Sequence, residues 1–455
     1  MDDLVCVSPV DGREYARRAL TPPPEVERAL AKARRAQREW RDVPLAERCA
    51  VLARFLATME EMNAEVVPEL AWQMGRPVRY GGELRSLKER VEAMIRLAPE
   101  ALANEVRDTG RVVRVPAGSV LVIAPWNYPF LTAANTIVPA LLAGNAVLLK
   151  PSAQTLITGE RFAQGFAAAR LPEGLFANLF LSHAQTEALL GAGLVDHATF
   201  TGSVEGGRAI ERAAGGSFTT LTLELGGKDP AYVRADGDVA AAVEGLVDGS
   251  FYNSGQSCCG VERIYVDEAV WDPFLDGFVE AARAYRVGDP LDPDTSLGPM
   301  ASARGADAVR RQVEEALAAG ATAYLARQLF PADRGEGPYL MPQVLTGVDH
   351  NMAVMREETF GPAIGIMKVS GDEEAVRLMN DSAYGLTASI WTRDVAAGER
   401  LALAVEAGTT FVNRCDYLDP YLAWTGVKES GRGASLGRYG FDAVTRPKSL
   451  HVRSL

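Results

Sequence analysis

Between residues 24 and 105 apolar positions recur every three to four residues with charges filling the gaps, a period that predicts amphipathic helices. PEVERALAKARRAQREW and LAERCAVLARFLATMEEMNAEVVPELAWQMG carry it most clearly. RVVRVPAGSVLVIAP then alternates and turns continuously apolar, the pattern of an exposed strand or hairpin leading into a buried strand. From there the period switches repeatedly. SVLVIA, NAVLLK, FANLFL, HATF and TLTLEL read as strands, with LTAANTIVPALLAG, TLITGERFAQGFAAA, AQTEALLGA and SVEGGRAIERAAG helical between them. Such alternation predicts an α/β fold in which helices cover both faces of a parallel sheet. A second α/β region follows, with helices near VAAAVEGLVDGSFYNSG, VWDPFLDGFVEAARAY and GADAVRRQVEEALAAG, and strands at RIYV, AIGIMKV and TTFVN. LFPADRGEGPYLMP reads as a loop, and RPKSLHVRSL as a late strand free to pair with another element or another subunit.

The 455 residues allow two or three domains at roughly 150 per domain. Fifty-nine acidic residues against forty-seven basic ones give a net charge of −12, the wrong sign for a broad nucleic-acid surface, so no nucleic-acid partner is expected. Val115 to Leu149 holds 35 residues without a charge, longer than a bilayer span requires. Pro116, Pro125, Pro129 and Pro139, with Asn127, Asn135 and Asn145, interrupt it, and it reads as buried strand, turn, helix and strand rather than as a membrane segment. Cysteines 6, 49, 258, 259 and 415 are too few and scattered for a disulfide framework, and the start MDDLVCVSPVDG has neither a basic nor an apolar run, so a cytoplasmic location is expected. Histidines 183, 197, 350 and 451 are dispersed, and no metal site is expected.

Five segments could carry chemistry. In FYNSGQSCCG a helical run is cut by Gly255 and two thiols follow, Cys258 and Cys259; each reads as a nucleophile or as a small buried hydrophobe. In LTLELGGKDP, Glu224 ends a buried-looking strand, where it is a general base of raised pKa or a cap for the next helix. Asn127 in APWNYP is an oxyanion donor held rigid by prolines or a turn asparagine. Lys150 in LLKPSAQT ends a strand at the ligand-binding edge of a sheet, or is simply solvated. FTGSVEGGRAI sets Gly202, Ser203, Gly206 and Gly207 at a helix start, where amides can meet a phosphate, although the glycines are not in GxGxxG order.

In order along the chain these pieces resemble the aldehyde dehydrogenase superfamily from about Ser8 to the C-terminus. The family's pattern appears as PWNYP at 125–129, LKPS at 149–152, FTGS at 200–203, ELGGK at 224–228, GQSC at 255–258, EETFGP at 357–362 and SGRG at 430–433. The resemblance implies a Rossmann-type cofactor domain (1–104 and 118–226), an α/β catalytic domain (227–439) and a small β oligomerisation extension (105–117 and 440–455), in a homodimer or homotetramer. It implies oxidation of an aldehyde to a carboxylic acid with NAD or NADP: Cys258 attacks the carbonyl to give a thiohemiacetal, Asn127 and the Cys258 N–H hold the oxyanion, and Glu224 activates water to hydrolyse the thioester left after hydride transfer. Trp126, Lys150, Ser152, Gly202, Ser203, Gly207, Leu225, Gly226, Glu358 and Phe360 would bind the cofactor, and Tyr128, Tyr417 and Trp424 the substrate.

The chain departs from the pattern in three ways. Ala153 stands where NAD-preferring members usually carry a glutamate, which admits NADP. Thr136 and Ser435 replace a lysine and a glutamate that help carry protons from the base in many hydrolytic members. The entrance loop NRCDYLDPYLAWTGVKES brings Tyr417, Tyr421 and Trp424, suited to a small or medium apolar or aromatic aldehyde, together with Arg414, which could read a semialdehyde carboxylate. A coenzyme A-acylating enzyme and a cofactor-binding protein without catalysis are the alternatives, the first opposed by Glu224.

Overall fold

The computed structural model describes residues 3–453, so residues 1–2 and 454–455 of the expected first and last segments lie outside it. Two sheets organise the chain. A six-stranded sheet runs in the order Gly431–Arg432, Thr220–Glu224, His197–Thr201, Ser119–Ile123, Ala146–Lys150 and Phe176–Asn178. All pairs are parallel except the first. Strand Ser119–Ile123 is buried along its whole length, which explains the unbroken apolar run. The helix that follows it, Pro129–Leu142, is buried on every side because Leu84–Ala101 and Leu45–Glu61 pack against it. The long uncharged segment is thus a buried strand, helix and strand, and no helix among the described residues is long and apolar enough to cross a membrane.

The chain proceeds from Ser119–Ile123 outward through Ala146–Lys150 and Phe176–Asn178, then returns to build His197–Thr201 on the other side. A reversal of this kind opens a crevice at the carboxyl ends of the two strands that flank it, the place where open α/β sheets bind ligands. Register brings the chemistry to that edge: Ile123 pairs with Lys150 and Phe200, and Thr201 with Glu224.

A seven-stranded sheet follows, in the order Thr322–Ala323, Gln343–Thr346, Ala363–Val369, Val261–Asp267, Asp229–Val233, Thr387–Trp391 and Thr409–Val412, parallel apart from its first pair. The loop after Val412 leaves this sheet. Trp424, Leu436, Phe441 and Val444 join the first core, and Gly431–Arg432 pairs with Thr220–Glu224. Thr445–His451 then pairs with Gly110–Pro116, which also pairs with Glu105–Arg107, making a separate three-stranded antiparallel sheet.

Candidate active site

Cys258 follows a turn that the surrounding structure holds under strain. Asn253 (φ 54°) and Ser254 (φ 59°) both occupy the left-handed region, and Gly255 continues there at 70°. Two consecutive non-glycine residues in that region are costly and persist only when their contacts over-determine them. Those contacts are present. Ser254 Oγ donates to the Gly298 carbonyl at 2.8 Å, Gln256 Nε2 to the Asn253 carbonyl at 3.1 Å, and the Ala301 N–H to Gln256 Oε1 at 2.8 Å. A side chain on Gly255 would meet the Gly361 carbonyl oxygen at 2.4 Å, so glycine is required on steric grounds as well. Cys259 is fully buried and donates its thiol to Asp416 Oδ1 at 3.0 Å, which leaves the half-buried Cys258 as the thiol facing open space.

Asn127 is set by the same turn. Its Nδ2 donates to the Gln256 carbonyl at 3.1 Å, while its own carbonyl accepts from Arg76 Nη2 at 2.6 Å and Asn253 Nδ2 at 3.4 Å. A primary amide has two N–H bonds, so one remains for a ligand. The Cys258 N–H has no protein acceptor among the described residues. Arg76 is itself held by a buried ion pair with Glu83 at 2.8 Å, and Glu83 Oε2 accepts from the Phe130 and Leu131 N–H groups, capping helix Pro129–Leu142. Arg76 and Glu83 belong to none of the motifs along the chain, and Gln256, within GQSC, carries no role there of its own. The isolated QMGRP segment, with a charge between glycine and proline, was the available signal.

Glu224 ends its strand with 7% of its surface exposed, and its Oε1 has no hydrogen-bond partner. An orphaned buried carboxylate oxygen is rare and marks a place where a ligand or water belongs. Burial raises the Glu224 pKa above the ordinary carboxylate value, opposed by the Thr201 hydroxyl, which donates to Glu224 Oε2 at 3.3 Å, and by the charge of Arg90. The two residues that replace the family's proton carriers are both buried, Ser435 beside the Glu224 carboxyl and Thr136 on helix Pro129–Leu142.

Cys258 lies where two cavities meet. The larger, about 790 Å³, is lined by Trp126, Asn127, Lys150, Ser152, Ala153, Gly202, Ser203, Glu224, Gly226, Glu358 and Phe360 among others. Its residues suit a dinucleotide. Ser203 caps helix Val204–Ala214 by accepting from the Gly206 N–H, presenting a helix N-terminus to the cavity. Lys150 is buried without an ion-pair partner among the described residues, and burial lowers its pKa. Glu358 Oε1 accepts from the Gly227 N–H at 3.2 Å, and burial pushes its carboxyl up to about 8. Phe360 meets Trp126 edge-on at 5.5 Å. The segment carrying Glu358 and Phe360 is clamped from below: Glu262 accepts from the Thr359 and Phe360 N–H groups at 2.8 Å each, and Lys228 bonds both Glu262 and Thr359 Oγ1 at 2.8 Å. Gly207 and Leu225, expected at the cofactor, do not line this cavity. They pack against each other on the far side of helix Val204–Ala214, beside Arg208 and Glu211.

The second cavity, about 320 Å³, is a funnel leading to Cys258 from the opposite side. Tyr80, Tyr128, Tyr252 and Tyr417 line it with Leu131 and Leu418. Two of the three expected substrate residues, Tyr128 and Tyr417, are there. Trp424 is not: it is bridged by backbone hydrogen bonds to Ser435 and buried in the first core. Tyr421 is exposed, its hydroxyl accepting from Arg96 Nε at 2.7 Å. Arg414 lies over the Tyr417 ring, 3.2 Å from its centroid, and lines a different cavity. No cluster of histidine, cysteine or carboxylate groups able to hold a metal occurs among the described residues.

Comparison with known proteins agrees with this arrangement over almost the whole chain. The 4,4'-diapolycopene aldehyde oxidase of Methylomonas sp is 36% identical over 464 residues, covering 99% of this chain and 86% of that protein. The NADP(+) succinate-semialdehyde dehydrogenase of Mycobacterium avium (strain 104) is 32% identical over 460 residues, covering 99% and 97%. The crystal structure of lactaldehyde dehydrogenase from Escherichia coli superposes with a TM-score of 0.94 at 30% identity, covering 100% of this chain and 96% of that one. With residues 2–450 matching its pattern, the chain belongs to the aldehyde dehydrogenase family and is an oxidoreductase that acts on aldehydes with NAD or NADP.

Proposed function

We propose that the chain oxidises an aldehyde to the free carboxylic acid, with Cys258 as nucleophile, Asn127 as oxyanion donor and Glu224 as general base. The observation that carries this reading is the position of Cys258 at the junction of the two cavities, with the orphaned Glu224 carboxylate lining the larger one. The aldehyde enters by the funnel and its carbonyl carbon bonds to the Cys258 sulfur. Its oxygen, now anionic, accepts from the free N–H of Asn127 Nδ2 and from the Cys258 N–H. NAD or NADP, which Lys150, Ser203 and Glu358 would hold in the larger cavity, would accept the hydride that leaves the thiohemiacetal carbon as the oxyanion collapses. The thioester that remains on Cys258 is attacked by water, whose proton passes to Glu224, and the carbon–sulfur bond breaks to release the acid. A free-acid product follows from Glu224, since transfer to coenzyme A would need no such base. The test is turnover, followed by reduced-nicotinamide absorbance with both cofactors against a panel of aldehydes, in the parent and a Cys258→Ala variant.

Ala153 supports acceptance of NADP. It lines the cavity three residues after Lys150, with no carboxylate of its own to repel a 2′-phosphate; His183 and Glu187 also line the cavity. Ala153→Glu is expected to lower kcat/KM with NADP by about 10- to 100-fold relative to NAD, because a carboxylate set against a phosphate in a partly desolvated site is strongly unfavourable. An unchanged NADP to NAD ratio would move the 2′-hydroxyl end of the cofactor elsewhere.

The three-stranded sheet supports a homo-oligomer. Glu105–Arg107 is exposed throughout, Val106 is 71% exposed, and an open strand edge of this kind invites pairing. Light scattering at micromolar concentration is expected to give at least twice the 48.8 kDa of one chain, and a single-chain mass would contradict the dimer or tetramer. The five cysteines are all free, in keeping with a reducing compartment such as the cytoplasm.

A further inference from the structure

The wall of the funnel holds a cation to which the reaction described above gives no task. Arg90, on helix Leu84–Ala101, is only 7% exposed, and its side chain lines the funnel that ends at Cys258. Its Nη1 donates to the Leu131 carbonyl at 3.1 Å and to Asn135 Oδ1 at 2.8 Å, which fixes the plane of the guanidinium. Its Nε and Nη2 donate to no protein acceptor among the described residues, and neither atom is sealed from open space. No carboxylate among the described residues pairs with it. Of the other charges of the funnel, Arg76 pairs with Glu83 at 2.8 Å and Arg85 with Glu89 at 3.8 Å on the exposed side, while Asp248 and Asp416 have no cationic partner among the described residues. Asp416 accepts from Ser257 Oγ at 2.9 Å and from the Cys259 thiol at 3.0 Å. The carboxylates whose charge reaches Arg90 are Glu83, already bound by Arg76 and two backbone amides, and Glu224, which lines the cofactor cavity. A buried guanidinium stays charged, so the cost of its desolvation is met only when an anion arrives.

We propose that Arg90 determines substrate specificity: the aldehyde carries a carboxylate or similar anionic group at the end away from its carbonyl, and that group accepts from Nε and Nη2 while the carbonyl carbon meets Cys258. The inference rests on the aldehyde-oxidising reading of Cys258 and adds the substrate class. Two donors on one edge of a planar fork match the two oxygens of a carboxylate. The tyrosine and leucine side chains of the funnel cover the carbons between the two ends. A wholly apolar aldehyde would leave Arg90 buried and unpaired, and Arg414, the arginine that the entrance loop offers, is spent on the Tyr417 ring.

Alkylation of Cys258 tests this without turnover. Iodoacetate and iodoacetamide differ in charge and little in size, and each transfers its carbon to the thiolate with loss of iodide. The rate at Cys258, read by peptide mass spectrometry, is expected to favour iodoacetate, and Arg90→Met to lower the iodoacetate to iodoacetamide ratio by about tenfold, with Arg90→Lys intermediate. In turnover, kcat/KM for a four-carbon aldehyde with a terminal carboxylate, taken relative to butanal, is expected to fall roughly 100-fold in Arg90→Met. Should the variants not fold, the parent alone decides: succinate protects Cys258 from iodoacetamide and uncharged succinamide does not. Equal losses with both reagents, an unchanged ratio, or equal protection by the two compounds overturns the role of Arg90 while leaving Cys258 as nucleophile. Resistance of Cys258 to both reagents would instead overturn the nucleophile, and this proposal with it.

Discussion

Replacing Cys258 by alanine is expected to lower kcat by at least about 10⁴-fold, the scale on which removal of a covalent nucleophile disables an enzyme. The loss falls on chemistry and spares cofactor binding, because the cavity walls that suit the dinucleotide, from Lys150 and Ser203 to Glu358 and Phe360, do not depend on the thiol. Equilibrium binding of NAD or NADP to the variant is therefore expected to remain within a few-fold of the parent. The neighbouring thiol supplies the control. Cys259 is fully buried, its thiol donates a hydrogen bond to Asp416, and the adjoining Cys258 together with burial holds its pKa far above the ordinary thiol value. A thiol in that state is a poor nucleophile at neutral pH, so Cys259→Ala is expected to keep most of the activity. Turnover by Cys258→Ala above a hundredth of the parent rate would displace the nucleophile to another residue. A parent that binds cofactor yet oxidises no aldehyde of the panel would favour the binding protein that kept the fold without its catalysis.

How much of this was legible in the sequence depends on whether a residue's role is local. The strand ends at Lys150 and Glu224 and the strand-to-helix turn at Ser203 are written in short stretches where the hydrophobic period changes, and they lie in the structure at one sheet edge. Strands Asp229–Val233 and Thr387–Trp391 were not legible: both are buried on both faces and so show no alternation, and one begins Asp-Pro, which reads as a turn. Trp424 misled because an aromatic in an entrance loop looks the same in sequence whether it faces a ligand or, as here, the core. Arg90 was hidden for the opposite reason. SLKERVEAM is dense in charge, and arginine in such a helix is expected to face water. The spacing did contain the signal, since Leu84, Leu87, Val91 and Met94 form the buried stripe and Arg90 falls within it. Only the packing of that helix on Pro129–Leu142 decides which way the stripe faces. Lys228 and Glu262 are similar: one closes the ELGGK motif and the other precedes RIYV, and their joint hold on Thr359 and Phe360 exists only in the folded chain.

A Glu224→Gln variant should separate the two halves of the reaction. Carbonyl attack and hydride transfer do not use the carboxylate, so the first turnover is expected to proceed, giving a burst of reduced cofactor close to one equivalent per active site. Hydrolysis then stalls on the Cys258 thioester, and steady-state kcat is expected to fall by about 10²- to 10⁴-fold, the usual contribution of a general base. Mass spectrometry of the quenched burst should find the acyl group on the peptide containing Cys258. Hydroxylamine, which attacks thioesters without a base, is expected to restore turnover in the variant. The pH dependence follows from the raised pKa of Glu224. The group works as a base only when ionised, and burial favours its neutral form. Deacylation should therefore fall as pH drops through a value above the ordinary carboxylate range, and that acid limb should vanish in the glutamine variant. Thr201 opposes the shift by hydrogen bonding to Glu224 Oε2, and Arg90 by its charge. Thr201→Val should accordingly move the limb to higher pH. A variant that keeps the parent's rate would remove Glu224 from the mechanism, and an acid limb that survives in Glu224→Gln would belong to another group.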